Sequence, residues 1–304
     1  MPTSHAFLCF IPVPKINRRT MVIPESELII NKNGTVYHLN LLPEHISDTI
    51  ITVGDPDRVP MVSKYFDEIE VQVTKREFVT HTGYYKGKRL TVISSGMGTD
   101  NIDILMNELD ALVNIDFQSR EPNEEKIALK IIRVGTSGSL QKQIPLGSHL
   151  ASHYGVGLDS LMEFYPLEQD ENEQSIARAL QEQLGVGFRP YCVNGSRSLI
   201  EKIAFDMAPG NTLTCPGFYA PQGRVLRAGL RNPDLLQVYQ DFRVCDFQLT
   251  NFEMETAGYY AMGRLLGHEM LSLNAIVANR ITQEFATNSE EVIDSLIVKV
   301  LDRV

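Results

Sequence analysis

Short apolar runs and amphipathic stretches alternate along the 304-residue chain. Ile50–Val53 is a compact apolar run, followed by Gly54-Asp55-Pro56-Asp57-Arg58 and then by apolar positions at Val59, Val62 and Phe66. This pattern predicts a strand, a tight turn and a helix, with Asp55 at the N-cap and Pro56 at the first helical position. Arg89–Ser95 reads as a buried strand ending at Gly96-Met97-Gly98. Behind it Ile102, Leu105, Met106, Leu109, Leu112 and Val113 share one face of a helix that Asp100 can cap. Ile131–Val134 predicts a strand that Gly135-Thr136-Ser137-Gly138 ends as a turn. Tyr191–Val193 and Ala275–Ala278 predict further short strands. Asn251 is placed to cap a helix through Met254, Ala257, Ala261 and Leu265 to Gly267, and Ser289 a last helix carrying Val292, Leu296 and Val300. The mostly polar stretch 114–127 reads as a surface insertion. Alternating strands and helices imply an α/β fold, a single domain with a central mixed β-sheet flanked by helices.

Composition narrows the classes. Hydrophobic content of 43% and charge content of 22% exclude a disordered, collagen-like or coiled-coil chain. The net charge of -10 repels phosphate backbones at long range, which argues against a nucleic-acid partner. No apolar run reaches the roughly 20 residues of a membrane span. Cys9, Cys192, Cys215 and Cys245 are well separated and show no zinc spacing, so they read as reduced thiols of a cytoplasmic protein, with no metal site. Residues 1–35 read as an N-terminal extension and 36–304 as the domain. Ala6–Val13 is mildly apolar but lacks a preceding cationic stretch and is broken by Pro12, so it does not read as a secretory leader.

Three glycine-rich segments follow three predicted strands: Gly54–Arg58, Gly96–Gly98 and Gly135–Gly138. In open α/β sheets ligands gather at strand C-termini. Arg58 and Arg133 stand beside two of the segments, and Thr136 adds a hydroxyl. Together they can form an anion cradle of backbone N–H groups and guanidinium forks. Each segment alone is equally an ordinary connection, and neither a P-loop nor a dinucleotide-binding fingerprint is present. His149 and His153 are four apart, but Leu150 replaces the glutamate of a zinc-protease motif.

The segments in sequence say more. GDPDR at 54–58, KREF at 75–78, SGMG at 95–98, RVGTSG at 133–138, GFYAPQGR at 217–224, FEMET at 252–256 and ANR at 278–280 occur in that order. The series resembles the nucleoside phosphorylase family, most closely its uridine phosphorylase branch, from about Val36 to the C-terminal helix. The resemblance implies phosphorolysis: inorganic phosphate, a co-substrate, attacks the anomeric carbon of a nucleoside and releases the base, with no cofactor. At the matching positions it implies that Gly54, Arg58, Arg133 and Thr136 bind phosphate. Arg76 joins them from a neighbouring subunit, in a homodimer or a hexamer built from dimers. It implies that His38 meets the ribose 5′ end across the same interface, and that Met254 and Glu255 grip the ribose. It implies further that Phe218 packs on the base, that Gln222 and Arg224 read the polar edge of uracil, and that Arg58, Arg133 and Arg224 are the catalytic residues.

Each charge-assisted hydrogen bond to phosphate is worth about 1.5–3 kcal/mol. Empty arginines crowded together would repel one another, so the cluster points to an anionic co-substrate rather than to neutral water. Asn101 stands where some relatives help hold an intersubunit potassium ion with the position of Glu77, so the resemblance does not carry a potassium site over to this chain. Purine-cleaving relatives place an acid near the segment of Asn279-Arg280; its absence, with Gln222 and Arg224, favours a pyrimidine. A purine nucleoside phosphorylase and a catalytically idle nucleoside-binding protein are the alternatives.

Overall fold

The structure is a computed structural model and describes residues 22–304; Ala6–Val13 and Cys9 lie outside the described residues. β1 (Thr49–Val53) is buried at every position but its first, as an unbroken apolar run requires of a central strand. α1 (Arg58–Ser63) follows, then a meander of β2 (Glu68–Lys75), β3 (Phe78–Tyr85) and β4 (Lys88–Ser94). α2 (Thr99–Asn114) buries the expected face, including Ile102, Leu105, Met106, Leu109 and Leu112. The polar stretch after it forms a small surface hairpin of β5 (Ile115–Asp116) and β6 (Glu121–Pro122). Arg120 in its turn donates to the carbonyls of Ile23 (2.6 Å), Pro24 (3.1 Å) and Leu28, fastening the segment before β1 to the hairpin.

β7 (Lys130–Ser139), β8 (His149–Gly157), α3 (Glu171–Leu184), β9 (Tyr191–Asn194), α4 (Arg197–Ile203) and β10 (Ala208–Thr214) come next. The chain then passes through α5 (Leu235–Asp241), the ribbon β11 (Arg243–Val244) and β12 (Phe247–Gln248), and β13 (Asn251–Glu253). It ends with α6 (Thr256–Leu266), β14 (Glu269–Asn279), β15 (Glu284–Phe285) and α7 (Ser289–Leu301).

Eleven strands form one mixed sheet, in the order β15-β14-β8-β10-β13-β7-β1-β4-β3-β2 with β9 on β8. β7 is its hub. It runs parallel to β1 and β14 and meets β13 antiparallel at its end. Because β14 also pairs with β8, and β10 joins β8 to β13, the strands β7, β14, β8, β10 and β13 close a ring. Closure removes free edges from the middle of the sheet. One apolar cluster packs α2 and α6 against the sheet, and another packs α1, α4 and α7. This is the α/β architecture with helices flanking a mixed sheet that the strand–helix alternation implies.

Local details differ from the sequence reading. The Gly135–Gly138 segment is not a turn: β7 continues through it to Ser139, because β14 pairs along its full length and β13 pairs at its end. α1 begins at Arg58, and Asp55 accepts the N–H of Asp57 (3.0 Å) in the turn before it, so Pro56 stays outside the helix. Asp100 lies inside the first turn of α2, with Gly98 at the cap. Asn251 opens β13 rather than capping a helix, and Ser289 is the first residue of α7, one past its cap Asn288. Ala275–Ala278 is the end of the eleven-residue β14. No helix of the described residues is long and apolar enough to cross a membrane. Cys192 and Cys215 are buried free thiols and Cys245 an exposed one.

Candidate active site

A cavity of about 560 Å³ opens where the C-terminal ends of β1 and β4 meet the second half of β7. Gly54, Arg58, Arg133, Thr136, Phe218, Gln222, Arg224, Met254 and Glu255 all line it, drawn from segments up to about 200 residues apart. β1 and β4 lie so close here that a Cβ at Gly54 would sit 3.5 Å from the Gly96 carbonyl oxygen.

Arg133 lies at the base of the cavity, 4% exposed. Its side chain folds along β7 over Gly135, where any Cβ would fall 1.9 Å from Nη1. Only glycine leaves room for that path. Nη2 donates to Glu255 Oε2 (2.6 Å) and lies 3.0 Å from Glu253 Oε2, while Nη1 donates to Asn274 Oδ1 (3.2 Å). Burial pulls the guanidinium's pKa down, but the carboxylates of Glu253 and Glu255 outweigh it and hold the group above its ordinary value. Glu255 is pushed up, first by burial and then by Glu253, against the pull of Arg133.

The same carboxylates organise the backbone. Glu255 Oε1 accepts the N–H of Gly98 (2.9 Å), at the start of α2. Gly98 holds φ 93 and ψ 158, a conformation open essentially to glycine alone. Glu253 accepts the N–H groups of Glu255 (2.9 Å) and Thr256 (2.9 Å) and the Thr214 hydroxyl (2.7 Å). It thereby satisfies the first amides of α6, the task the sequence reading gave to Asn251.

Arg58 forms a second cationic point, half-buried beside Asp55 and Thr136. Burial lowers its pKa, Arg133 adds to that, and Asp55 opposes. This is the mark of a cation whose charge is under-compensated.

At the other end Arg224 lies 3.6 Å over the Phe218 ring and donates to the Phe218 carbonyl (2.6 Å) and to Gln222 Oε1 (2.5 Å). Burial and the nearby Arg280 press it down to about 10, so it stays charged at neutral pH. Arg280 donates to the Gln222 carbonyl (3.0 Å), and both guanidinium groups lie within 6 Å of the Phe252 ring centroid, at 5.8 and 5.7 Å. A second hollow of about 450 Å³, bounded by Phe218, Arg224, Arg280 and Phe285, adjoins this end.

His38 and Arg76 do not line the cavity of their own chain. Arg76 is exposed in the β2–β3 turn at φ 55, and His38 sits before β1 with Nδ1 2.6 Å from Glu108. Glu253, Asn274 and Arg280 are residues of the site to which the sequence reading gave no role. The period-two spacing of Glu253 and Glu255, and the position of Arg280 in the ANR segment, were the available signals; Asn274 carried none. Glu77 and Asn101 both approach Gly96, within 3.0 and 2.5 Å of where a Cβ would stand. Among the described residues no group of three or more His, Cys, Asp or Glu side chains is placed to hold a metal ion.

Among the described residues three arginines and four carboxylates line the cavity: Arg58, Arg133 and Arg224 against Asp55, Glu77, Glu253 and Glu255. The expected repulsion among empty arginines is therefore replaced, at Arg133, by a carboxylate pair.

Comparison with known proteins identifies the family and the fold. The family model described as the phosphorylase superfamily matches residues 48–302. A uridine phosphorylase of Thermococcus kodakarensis is 28% identical over 278 residues, 89% of this chain and 88% of the relative. A DeoD-type purine nucleoside phosphorylase of Buchnera aphidicola is 26% identical, covering 84% of this chain and 90% of the relative. The crystal structure of a Trypanosoma brucei nucleoside phosphorylase, described as showing uridine phosphorylase activity, superposes with a TM-score of 0.81 at 27% identity, covering 91% of this chain and 100% of that one.

A methyl group at Gly135 should drive Arg133 out of its pairing. Gly135→Ala is expected to cost about 1–3 kcal/mol in denaturant unfolding and to weaken phosphate binding measured by calorimetry. Gly187→Ala, where a Cβ meets nothing within 4 Å, should leave both unchanged.

Proposed function

The chain belongs to the phosphorylase superfamily, as a nucleoside phosphorylase and pentosyltransferase that uses inorganic phosphate as co-substrate, and from that premise we propose that its nucleoside is uridine. The reaction is the reversible phosphorolysis of uridine to uracil and ribose 1-phosphate, in pyrimidine salvage in the cytoplasm. The observation that carries the choice of base is the paired Gln222 and Arg224 at the aromatic end of the cavity. Arg224 already engages Gln222 Oε1, which leaves the Gln222 amide N–H groups and the other Arg224 donors for the carbonyls of a pyrimidine. Among the described residues no acid lines the cavity at its base end; Glu284 stands on the rim of the adjoining hollow, where it accepts the Thr282 hydroxyl (2.6 Å). Asn279 spends its amide on the carbonyls of Gln141 (3.1 Å) and Ile144 (3.3 Å) and accepts from the backbone of Ile281 and Thr282.

The arrangement performs the chemistry by position and charge. Phosphate, with between about one and two negative charges at neutral pH, is held by Arg58, the Gly54 segment and Thr136, with Arg133 beneath. The ribose lies on Met254 and Glu255, whose carboxylate accepts from the sugar hydroxyls. The base stacks on Phe218. As the glycosidic bond lengthens, positive charge grows on the sugar above the Arg133–Glu255 pair and negative charge grows on the uracil beside Arg224. Groups already in place for developing charge cost no reorganisation at the moment of reaction.

Three arginines facing four carboxylates do not make a strongly cationic cavity, so seating a dianion calls for further positive charge. Arg76 supplies it from a second copy of the chain, and His38 arrives with it at the sugar; the working unit is a dimer or a larger assembly built from dimers.

Uracil release from uridine, followed by absorbance, is expected to require inorganic phosphate. Release at the same rate without phosphate would make the protein a hydrolase, and a strong preference for inosine over uridine would make it a purine enzyme. Arg224→Ala should lower kcat/KM for uridine about 10²–10³-fold while shifting unfolding free energy by no more than about 1 kcal/mol. A loss of activity matched by a comparable loss of stability would make Arg224 structural.

A further inference from the structure

The segment before β1 presents an imidazole that its own chain leaves unused. His38 stands outside the cavity of its chain, with its side chain 30% exposed, in a tight turn where Val36 N–H reaches the Leu41 carbonyl (3.0 Å) and Asn40 takes φ 56. A single carboxylate from α2 holds this turn. Glu108 accepts the His38 backbone N–H on both oxygens (3.0 Å each) and the Leu39 N–H on Oε2 (2.9 Å). Its Oε1 stands 2.6 Å from His38 Nδ1. An ionised carboxylate offers acceptors only, about four lone-pair directions, and this turn engages all of them. Nδ1 must therefore carry a proton, and in that tautomer the lone pair of the imidazole lies on Nε2.

We propose that Glu108 is a positioning residue, fixing the tautomer of His38 so that Nε2 accepts a hydrogen bond from the sugar 5′-hydroxyl of a nucleoside held in the cavity of a second copy of this chain. This rests on the reading of the site given above and adds to it the residue that holds the imidazole in place.

Glu108→Gln tests the tautomer lock, because an amide keeps the size but places an NH₂ where every neighbour is a donor. It is expected to lower kcat/KM for uridine about tenfold, mainly through KM, as the loss of one hydrogen bond would. Activity on 5′-deoxyuridine should stay within about twofold. His38→Ala should show the same selective loss, and the double variant should be no worse than either single one. Equal losses on both nucleosides would reduce Glu108 to a structural role, and no loss at all would also overturn the proposal. Nitrogen-15 spectra of the unsubstituted protein read the tautomer directly and do not depend on the variant folding. A proton on Nδ1 is expected; one on Nε2 overturns the proposal. If the unsubstituted protein cleaves no nucleoside, the functional reading falls by itself, and the spectra still decide the case of Glu108.

Discussion

The pairing of Arg133 with Glu253 and Glu255 is the interaction on which the rest of the site depends. A guanidinium in the interior of a central strand carries a desolvation cost of several kcal/mol unless it is matched by charge and hydrogen bonds. Both matching carboxylates come from a segment about 120 residues further along the chain, at β13 and the start of α6. β13 is only three residues long, yet it pairs with β7 on one side and β10 on the other. Closing the strand ring is therefore what delivers the carboxylates to Arg133. Two glycines make the geometry possible, Gly135 by leaving space for the arginine and Gly98 by turning its N–H onto Glu255.

That pairing also separates the tasks of the residues around it. Arg133 is compensated from below, so it orders Glu255 as much as it attracts an anion. Arg58 keeps an under-compensated charge, and the proposed reading seats phosphate on its side of the cavity. Glu255, held by Arg133 and by the Gly98 amide, faces the place where sugar hydroxyls would donate. A cavity lined, among the described residues, by one more carboxylate than arginine is short of positive charge for a dianion, and the proposed reading draws that charge from a second copy of the chain. His38 and Arg76, set on ordered turns outside their own cavity, fit that need, and the full use of Glu108 in holding His38 fits it as well.

Much of this was legible in the sequence, for identifiable reasons. Apolar runs located β1, β4 and β7, and helical spacing located the buried face of α2, because both depend on which side of an element meets the core. The ordered motifs brought together the residues that line the cavity. Capping residues were misplaced by one or two positions at α1, α2 and α7, whose observed caps make no side-chain hydrogen bond to the helix. The larger error concerned Gly135–Gly138. Glycine clusters usually mark turns, but here they let a strand pass beneath an arginine and the Phe252 ring, which lies 3.0 Å from where a Cβ of Gly138 would stand. The Arg133–Glu253–Glu255 network had no local signature, since its members meet only after the ring of strands has closed. Asn274, from β14, is a partner that only the register of β14 on β7 reveals.

The polarity of the cavity from end to end gives the proposed reaction its direction. Arg58 stands at one end, the carboxylates of Glu253 and Glu255 in the middle, and Arg224 with Arg280 at the other. The carboxylate on the rim of the hollow beyond Arg224 is Glu284, which is exposed and accepts the Thr282 hydroxyl (2.6 Å). A leaving base that must be protonated would have to draw its proton from that rim carboxylate, outside the main cavity. A leaving base that departs as an anion would find two guanidinium groups, one of them held at about 10 by burial and by the other. Cation growing on the sugar over carboxylates, and anion growing on the base beside arginines, is the charge separation that the proposed reaction requires. The fixed charges run in that order before any substrate arrives, which is the condition under which electrostatic stabilisation is most effective.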